Sequence, residues 1–175
     1  NTIATTAITN GYSVTYTPAE ALGDGIHTVT VDIKDHDGNA ADQKSTTYTV
    51  DTVPPALNVT DPTDNLVTSK AALTVSGTTN DATSSPVTVT VRLNGADQGA
   101  VTVSADGAFA KSITLAEGSN TIVVTATDAA GKISSVTRTV KLDTSVPVIT
   151  AASITPNPAD AGATVIISVT ITEGA

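Results

Sequence analysis

Apolar and polar residues alternate along several short segments of this chain. Segments 27–33, 87–93 and 121–127 place Val, Ile, Leu or Ala at every second position over much of their length. A period of two puts the apolar side chains on one face of an extended strand and Thr, Asp or Arg on the other. No segment has a convincing helical period. The pattern therefore predicts half-buried antiparallel strands.

Pairs of residues that favour tight turns separate these segments. They are Asn10-Gly11, Asp24-Gly25, Asp37-Gly38, Asn94-Gly95, Asp106-Gly107 and Glu117-Gly118. Short strands separated by such turns are typical of an antiparallel sandwich. The sequence therefore predicts an all-β fold.

The chain also contains an internal repeat. Leu22–Asp35 aligns with Leu115–Asp128 at an offset of 93 residues, and Tyr48–Thr52 aligns with Val140–Thr144 at an offset of 92 residues. A period of this length corresponds to one small sandwich domain. The chain is therefore predicted to be a tandem array.

Proline-containing segments mark the joints of this array. Segments 53–55 and 145–147 are predicted to be short, semi-rigid linkers, because proline fixes φ and restrains the residue before it. We therefore divide the chain into the C-terminal part of one repeat (1–52), a complete repeat (53–144) and the first two strands of a third repeat (145–175).

Strand positions follow from the same pattern. In the complete repeat we predict strands near 56–60, 71–78, 87–93, 100–103, 109–115, 120–127 and 134–142, and in the last segment near 148–154 and 164–172. Phe109 is predicted to be a core residue, because it lies in an alternating strand after a turn.

Five segments resemble tandem bacterial immunoglobulin-like repeats. They are Asp51–Pro55, Leu73–Thr79, Asp106–Phe109, Leu115–Ile122 and Ala126–Lys132. Such repeats occur in surface adhesins, S-layer-type proteins and extracellular carbohydrate-active enzymes. The resemblance implies tandem immunoglobulin-like antiparallel β-sandwiches, one complete and two partial, that are secreted or lie on a bacterial cell surface. The family has no conserved catalytic residues to assign.

Composition excludes several classes of function. The chain has 8 Lys and Arg against 17 Asp and Glu, a net charge of -9, so it has no basic surface for nucleic acid. It has no Cys, which excludes a disulfide framework and thiolate chemistry. No apolar run is long enough to span a membrane.

One loop has residues that could bind calcium. Asp35, Asp37, Asn39 and Asp42 offer oxygen ligands in a D-x-D-G-N spacing, and calcium binds several such oxygens. The alternative is a hairpin turn, in which Asp, Asn and Gly are favoured for backbone reasons. The equivalent loop of the next repeat, 128–133, keeps only the first Asp and the Gly, which favours the turn.

A second group of acidic residues lies near the two joints. Asp51, Asp61 and Asp64 flank the first joint, and Asp143 and Asp160 hold similar places at the second. A cation bound between successive domains would stiffen the array. The alternative is that these acids keep the surface soluble and the edge strands unpaired.

Catalytic chemistry is not predicted. Glu20, Glu117 and Glu173 all lie at predicted turns or ends, where a pair of glycosidase carboxylates in a cleft is not expected. The middle repeat contains no His, because His27 and His36 both belong to the first segment. We therefore predict that the chain is not an enzyme and requires no cofactor.

Carbohydrate binding has weak support. Sandwich modules that bind sugars use exposed aromatic side chains, and this chain has only Tyr12, Tyr16, Tyr48 and Phe109. With Phe109 predicted in the core, the three tyrosines are the remaining candidates.

The sequence thus favours a structural spacer of a long extracellular bacterial surface protein. The alternative is a ligand- or carbohydrate-binding accessory module of a secreted polysaccharide-active enzyme. Neighbouring repeats of the same or an adjacent chain are the expected partners. Self-association by strand complementation is a further hypothesis, in which the tail 145–175 of one molecule docks into the segment 1–52 of the next.

Overall fold

The computed structural model describes residues 5–8 and 11–173, which form fourteen strands and no helix. The strands are β1 (Thr5–Ile8), β2 (Gly11–Val14), β3 (Gly25–Val31), β4 (Lys44–Val50), β5 (Ala56–Asp61), β6 (Leu66–Thr68), β7 (Ala72–Asn80), β8 (Thr88–Leu93), β9 (Ala96–Asp97), β10 (Ala108–Thr114), β11 (Gly118–Thr127), β12 (Ile133–Leu142), β13 (Val148–Thr155) and β14 (Ile166–Thr172). The strand pairs are antiparallel apart from β6, which runs parallel to β12. The predicted all-β class is confirmed.

Strands β5 to β12 form two sheets that enclose one apolar core. The first sheet has the order β10-β7-β5, and the second has the order β6-β12-β11-β8-β9. The buried apolar side chains between them are Val59, Val75, Val87, Val89, Val91, Leu93, Phe109, Ile113, Leu115, Ile122, Val124, Ala126, Val140 and Leu142. The middle repeat is therefore a β-sandwich, and the prediction that Phe109 belongs to its core is confirmed.

The alternating sequence pattern appears directly in the burial of the central strands. In β8 the buried side chains are those of Val89, Val91 and Leu93, and the intervening residues face solvent. In β11 every second residue from Asn120 to Ala126 is buried. One face of each strand therefore lies against the core, as the period of two requires.

Two of the predicted turns depend on backbone angles that favour Asn or Gly. Asn94 and Gly95 have φ of 51° and 85° and connect β8 to β9 as a two-residue hairpin turn. Gly107 has φ of 82°, and a Cβ there would lie 2.1 Å from the carbonyl oxygen of Thr79. Only glycine fits this position without moving the backbone.

The repeat seen in the sequence has the same strand register in each copy. Gly25 pairs with Val50 in the β3–β4 hairpin, and Gly118 pairs with Leu142 in the β11–β12 hairpin. These partners are related by the predicted offsets of 93 and 92 residues. The pair Ala56–Asn80 of β5 and β7 likewise corresponds to the pair Val148–Thr172 of β13 and β14 at an offset of 92 residues.

One predicted strand is absent, and two short strands were not predicted. Residues 100–103 form no strand, and Val103 makes only an isolated bridge to Phe109. The cause lies just before them, where the backbone N–H of Gly99 donates to Asp97 Oδ1 at 2.6 Å, and Gly99 has φ of 80°. This turn takes the chain away from the sheet after β9. The strands β6 and β9 are too short to show an alternating pattern.

The segments on either side of the sandwich form two-stranded sheets in the described residues, β1–β2, β3–β4 and β13–β14. Large apolar side chains of β13 and β14 are exposed, among them Ile149, Ile154 and Ile167. Their exposure is consistent with strand complementation, which stays a prediction. The domain limits 1–52, 53–144 and 145–175 also stay predictions.

Candidate metal centre

The predicted calcium loop joins β3 to β4 and is organised by its own hydrogen bonds. The backbone N–H of Asn39 donates to Asp35 Oδ1 at 2.8 Å, and the side-chain amide of Asn39 donates to Asp35 Oδ2 at 2.7 Å. These bonds, first of all the one from the side chain of Asn39, lower the pKa of Asp35 below its usual value. The loop therefore has the contacts of a hairpin turn.

Of the other predicted ligands of this loop, Asn39 alone bonds to Asp35 through its side chain. Asp37 and Asp42 are exposed, and in residues 15–173 the carboxylates of this loop do not form a group of three that could share an ion. Asn39 uses its side chain to hold Asp35. Calcium binding by Asp35, Asp37, Asn39 and Asp42 stays a prediction.

Three other aspartates meet at the joint between the first segment and the middle sandwich. Asp51 follows β4, Asp81 follows β7 and Asp128 follows β11. Their ligand oxygens lie within 4.8 Å of one another, and the exposed fractions of the residues are 8%, 9% and 6%. We call these three residues the joint cluster. It is the only such group in the described part of the chain.

Loop contacts fix the first two carboxylates of the joint cluster. Asp51 Oδ1 accepts the backbone N–H of Val53 at 3.0 Å, and Asp51 Oδ2 accepts the hydroxyl of Ser84. Asp81 Oδ1 accepts the backbone N–H groups of Thr83 and Ser84, each at 2.8 Å. Asp51, next to the last residue of the first segment, is therefore bonded to a loop of the middle sandwich.

The third carboxylate has an oxygen without a partner. Asp128 Oδ1 accepts the backbone N–H of Lys132 at 2.8 Å. Asp128 Oδ2 is buried and has no hydrogen-bond partner. A buried carboxylate oxygen is normally hydrogen-bonded or bound to a cation, because its desolvation is costly. This oxygen belongs to the same residue that places a ligand atom in the joint cluster.

No basic side chain compensates the charge of the joint cluster within the described residues. The one ion pair in the described part of the chain is outside the cluster, between Lys141 Nζ and Asp143 Oδ2 at 3.1 Å. Three carboxylates this close repel one another, and their burial strengthens the repulsion. The arrangement has the ligand type and charge of a site for a hard divalent cation.

The sequence identified one member of the joint cluster and missed two. Of the acids predicted near the joints, only Asp51 belongs to it. Asp61 and Asp64 instead accept hydrogen bonds from Ser76 and Thr139 of the sandwich. Asp81 is the first residue after a strand, as Asp51 and Asp128 are. This shared position, directly after a strand, was the sequence feature that could have pointed to all three residues.

The acids predicted at the second joint, Asp143 and Asp160, belong to no group of three possible metal ligands in the described residues. The hydrogen bond from Lys141 is the main cause that lowers the pKa of Asp143. Asp160 is exposed in the loop between β13 and β14. A cation shared by these two residues stays a prediction.

A second type of contact recurs at both joints. The backbone N–H and the hydroxyl of Thr52 both donate to Asp24 Oδ1 at 2.9 Å. At the repeat-equivalent positions, the backbone N–H of Thr144 donates to Glu117 at 3.2 Å and its hydroxyl donates at 2.8 Å. Thr52 and Thr144 each follow an aspartate just before a linker. Each is thus bonded to the turn that precedes the last hairpin of its own repeat.

The aromatic side chains form no extended platform in residues 15–173. Phe109 is buried, whereas Tyr16 and Tyr48 are exposed by 59% and 43%. Tyr48 stacks on His27 with 5.6 Å between ring centroids. Tyr12 lies in β2, and its side chain is outside the described part. Carbohydrate binding by these residues stays a prediction.

The described part of the chain contains no helix that is long and apolar enough to cross a membrane.

Comparisons with known proteins agree with the predicted repeat type. Residues 55–144, just over half of the chain, match the family model described as glucodextranase, domain B. Residues 1–52 match the model described as a bacterial Ig-like domain. Curated proteins gave no match to this chain.

Two solved structures are among those similar to the chain. The fibronectin(III)-like modules of CbhA from Clostridium thermocellum are 19% identical, with a TM-score of 0.48, over 77% of this chain and 70% of that chain. An engineered protein is 23% identical, with a TM-score of 0.39, over 51% of this chain and 20% of that protein. The chain belongs to the glucodextranase domain B family, whose model covers just over half of it, and the match of its first segment to a bacterial Ig-like domain is consistent with the predicted bacterial immunoglobulin-like repeats.

Proposed function

We propose that this chain is a non-catalytic structural spacer of an extracellular bacterial surface protein. The matching families are typically non-catalytic modules of extracellular or surface proteins, which supports this role. The tandem arrangement supports it too, because an array of small sandwiches with short Pro-containing linkers sets the distance between the parts it connects.

The observation that carries the proposal is the bonding of two adjacent residues at the first joint. Thr52 donates to Asp24 of the first segment, whereas Asp51 accepts the hydroxyl of Ser84 in the middle sandwich. Consecutive residues are therefore bonded to different repeats. Rotation about the joint would break one of these contacts, so the joint resists bending as a spacer requires.

Replacing Asp24 with Ala should loosen this joint without unfolding the sandwich. The substitution removes the acceptor of both Thr52 bonds, which lie at the surface and contribute about 0.5–1.5 kcal/mol each. The natural chain has no Cys, so single cysteines introduced at the exposed positions Thr47 and Thr90 can carry a pair of spin labels. We expect a broader distance distribution between the labels in the Asp24→Ala protein.

The exposed residue Asp160 provides the matched control for this experiment. Its carboxylate makes no hydrogen bond in the described residues, so Asp160→Ala changes the charge equally and should leave the distribution unchanged. The melting temperature of the middle repeat should be the same in all three proteins. Equal widths for the natural, Asp24→Ala and Asp160→Ala proteins would contradict the spacer proposal at this joint.

The second candidate function is an accessory module of a secreted polysaccharide-active enzyme. The match of residues 55–144 to a domain of glucodextranase favours it, because that domain comes from an enzyme. Exposed Tyr48, stacked on His27, is the candidate surface for a sugar ring.

Affinity electrophoresis of the full chain in gels containing dextran separates the two functions. A spacer should migrate at the same rate with and without the polysaccharide. A binding module should be retarded, and Tyr48→Ala should restore its mobility while Tyr16→Ala should not. Retardation that depends on Tyr48 would favour the accessory module over the spacer.

A further inference from the structure

We propose that the joint cluster binds one calcium ion, which fastens the linker after β4 to the middle sandwich. The ligands are carboxylate oxygens of Asp51, Asp81 and Asp128. Asp51 belongs to the end of the first segment, whereas Asp81 and Asp128 follow strands of the sandwich. The ion would therefore connect two repeats through a single coordination sphere.

The unpartnered oxygen of Asp128 is the observation that points to a ligand. The backbone N–H of Lys132 satisfies Asp128 Oδ1, and this bond fixes the orientation of the carboxylate. Asp128 Oδ2 is left buried and unpaired in a residue that is 6% exposed. A cation at the centre of the joint cluster would compensate the lost hydration of this oxygen.

The charge of the joint cluster favours a divalent cation. Three carboxylates bring a formal charge of three, and no described Lys or Arg forms an ion pair with them. A divalent ion removes most of this charge and replaces repulsion by attraction.

The donor atoms favour calcium, because magnesium is usually bound through only one or two carboxylates. All three ligands are carboxylates, with no His or Cys to favour zinc or another transition metal. Calcium binds about six to eight oxygens in flexible geometry, so further oxygens are needed. A surface cavity of about 190 Å³, lined by Asp51 and Ser84 among others, adjoins the cluster and can admit the water molecules that complete the sphere.

The same acidic positions recur in the other copies of the repeat. At an offset of 93 residues Asp35 corresponds to Asp128, and at an offset of 92 residues Asp143 corresponds to Asp51 and Glu173 to Asp81. Each ligand position therefore carries a carboxylate in both copies that the chain contains. The recurrence supports a common role in binding a cation.

Calorimetric titration of the chelator-treated full chain with calcium chloride tests the site directly. The natural chain should bind calcium, and Asp128→Asn should weaken binding at this site at least tenfold. Asp160→Asn is the matched control and should bind calcium at the joint cluster as the natural chain does. Asp35→Asn should leave this site unchanged, which separates it from the predicted loop between β3 and β4. The absence of any heat at millimolar calcium, or equal binding by Asp128→Asn, would overturn the proposal.

Thermal melting distinguishes a ligand from a structural residue. Asn keeps an oxygen for the Lys132 bond and removes a charge from the joint cluster, so Asp128→Asn should melt at least as high as the natural chain in the presence of chelator. Calcium at a hundred times its Kd for the natural chain should raise the melting temperature of the natural sandwich by roughly 10–20 °C, and that of the variant by at most about half as much. A variant that melts lower than the natural chain by the same margin with calcium and with chelator would indicate a purely structural Asp128 and overturn the proposal. Magnesium chloride should give a smaller shift, and a larger one would overturn the choice of calcium.

The mechanical consequence rests on the spacer function proposed above. With spin labels at positions 47 and 90, calcium at its Kd for the natural chain should narrow the distance distribution of the natural chain far more than that of Asp128→Asn. Binding seen by calorimetry without narrowing would overturn stiffening by the ion while leaving the site in place. Calorimetry therefore tests the calcium site, and the spin-label distances separately test whether the ion stiffens the joint.

Discussion

Replacing Phe109 with Ala should lower the free energy of unfolding of the middle sandwich by about 3–5 kcal/mol, because the substitution removes a large side chain from a closed core. Phe109 is 4% exposed in β10. Its ring lies against Gly77 of β7, where a Cβ would come within 2.8 Å of Phe109 Cζ and within 2.1 Å of the Asn58 carbonyl oxygen. Since Gly77 has no side chain to move into the vacated space, the cavity should persist.

Urea denaturation followed by circular dichroism measures this loss. Tyr16 is the control, because it corresponds to Phe109 at the offset of 93 residues but is 59% exposed. Tyr16→Ala should change the stability of the sandwich by no more than about 0.5 kcal/mol. If both substitutions lowered the free energy of unfolding equally, Phe109 would not be the buried core residue that the structure shows.

The strands of the sandwich could be predicted because half-buried strands carry their burial pattern in the sequence. In β8 and β11 each buried position is apolar, apart from Asn120, and each exposed position between Val89 and Leu93 is polar. The Asn94-Gly95 and Asp106-Gly107 turns were equally visible, since positive φ favours these residues. Local constraints of this kind act on neighbouring residues and can be seen without knowing the fold.

The joint cluster could not be predicted in the same way, because its members are far apart in the chain. Asp51, Asp81 and Asp128 come together only once β7 and β11 lie in facing sheets with their ends at the same edge. The loop with Asp35 and Asn39 had the more suggestive local spacing, yet these residues bond to each other. Spacing within one loop thus indicated a turn, and tertiary structure was needed to find the group of carboxylates.

Replacing Asn120 with Ala should cost the sandwich about 2–4 kcal/mol, because it removes a fully buried side chain together with the four hydrogen bonds that this side chain makes. Asn120 is fully buried in β11. Its Oδ1 accepts the backbone N–H of Ala116 at 2.9 Å and the side-chain amide of Asn94 at 3.1 Å. Its Nδ2 donates to the carbonyl oxygens of Ala116 at 2.7 Å and Gly118 at 3.0 Å. One side chain therefore holds the turn before β11 against the turn after β8.

Two further substitutions show whether these hydrogen bonds are the cause. Asn58→Ala removes an exposed amide from β5 and should have an effect within about 0.5 kcal/mol. Asn120→Asp keeps the acceptor but points a carboxylate at two carbonyl oxygens, so burial should raise the pKa of the new carboxyl group. Because its native pKa would lie above the unfolded value of about 3.9, the native state binds the extra proton and the variant should lose stability as the pH rises from 4 to 7. Urea denaturation at both pH values measures this, and a loss that does not depend on pH would contradict the assigned contacts.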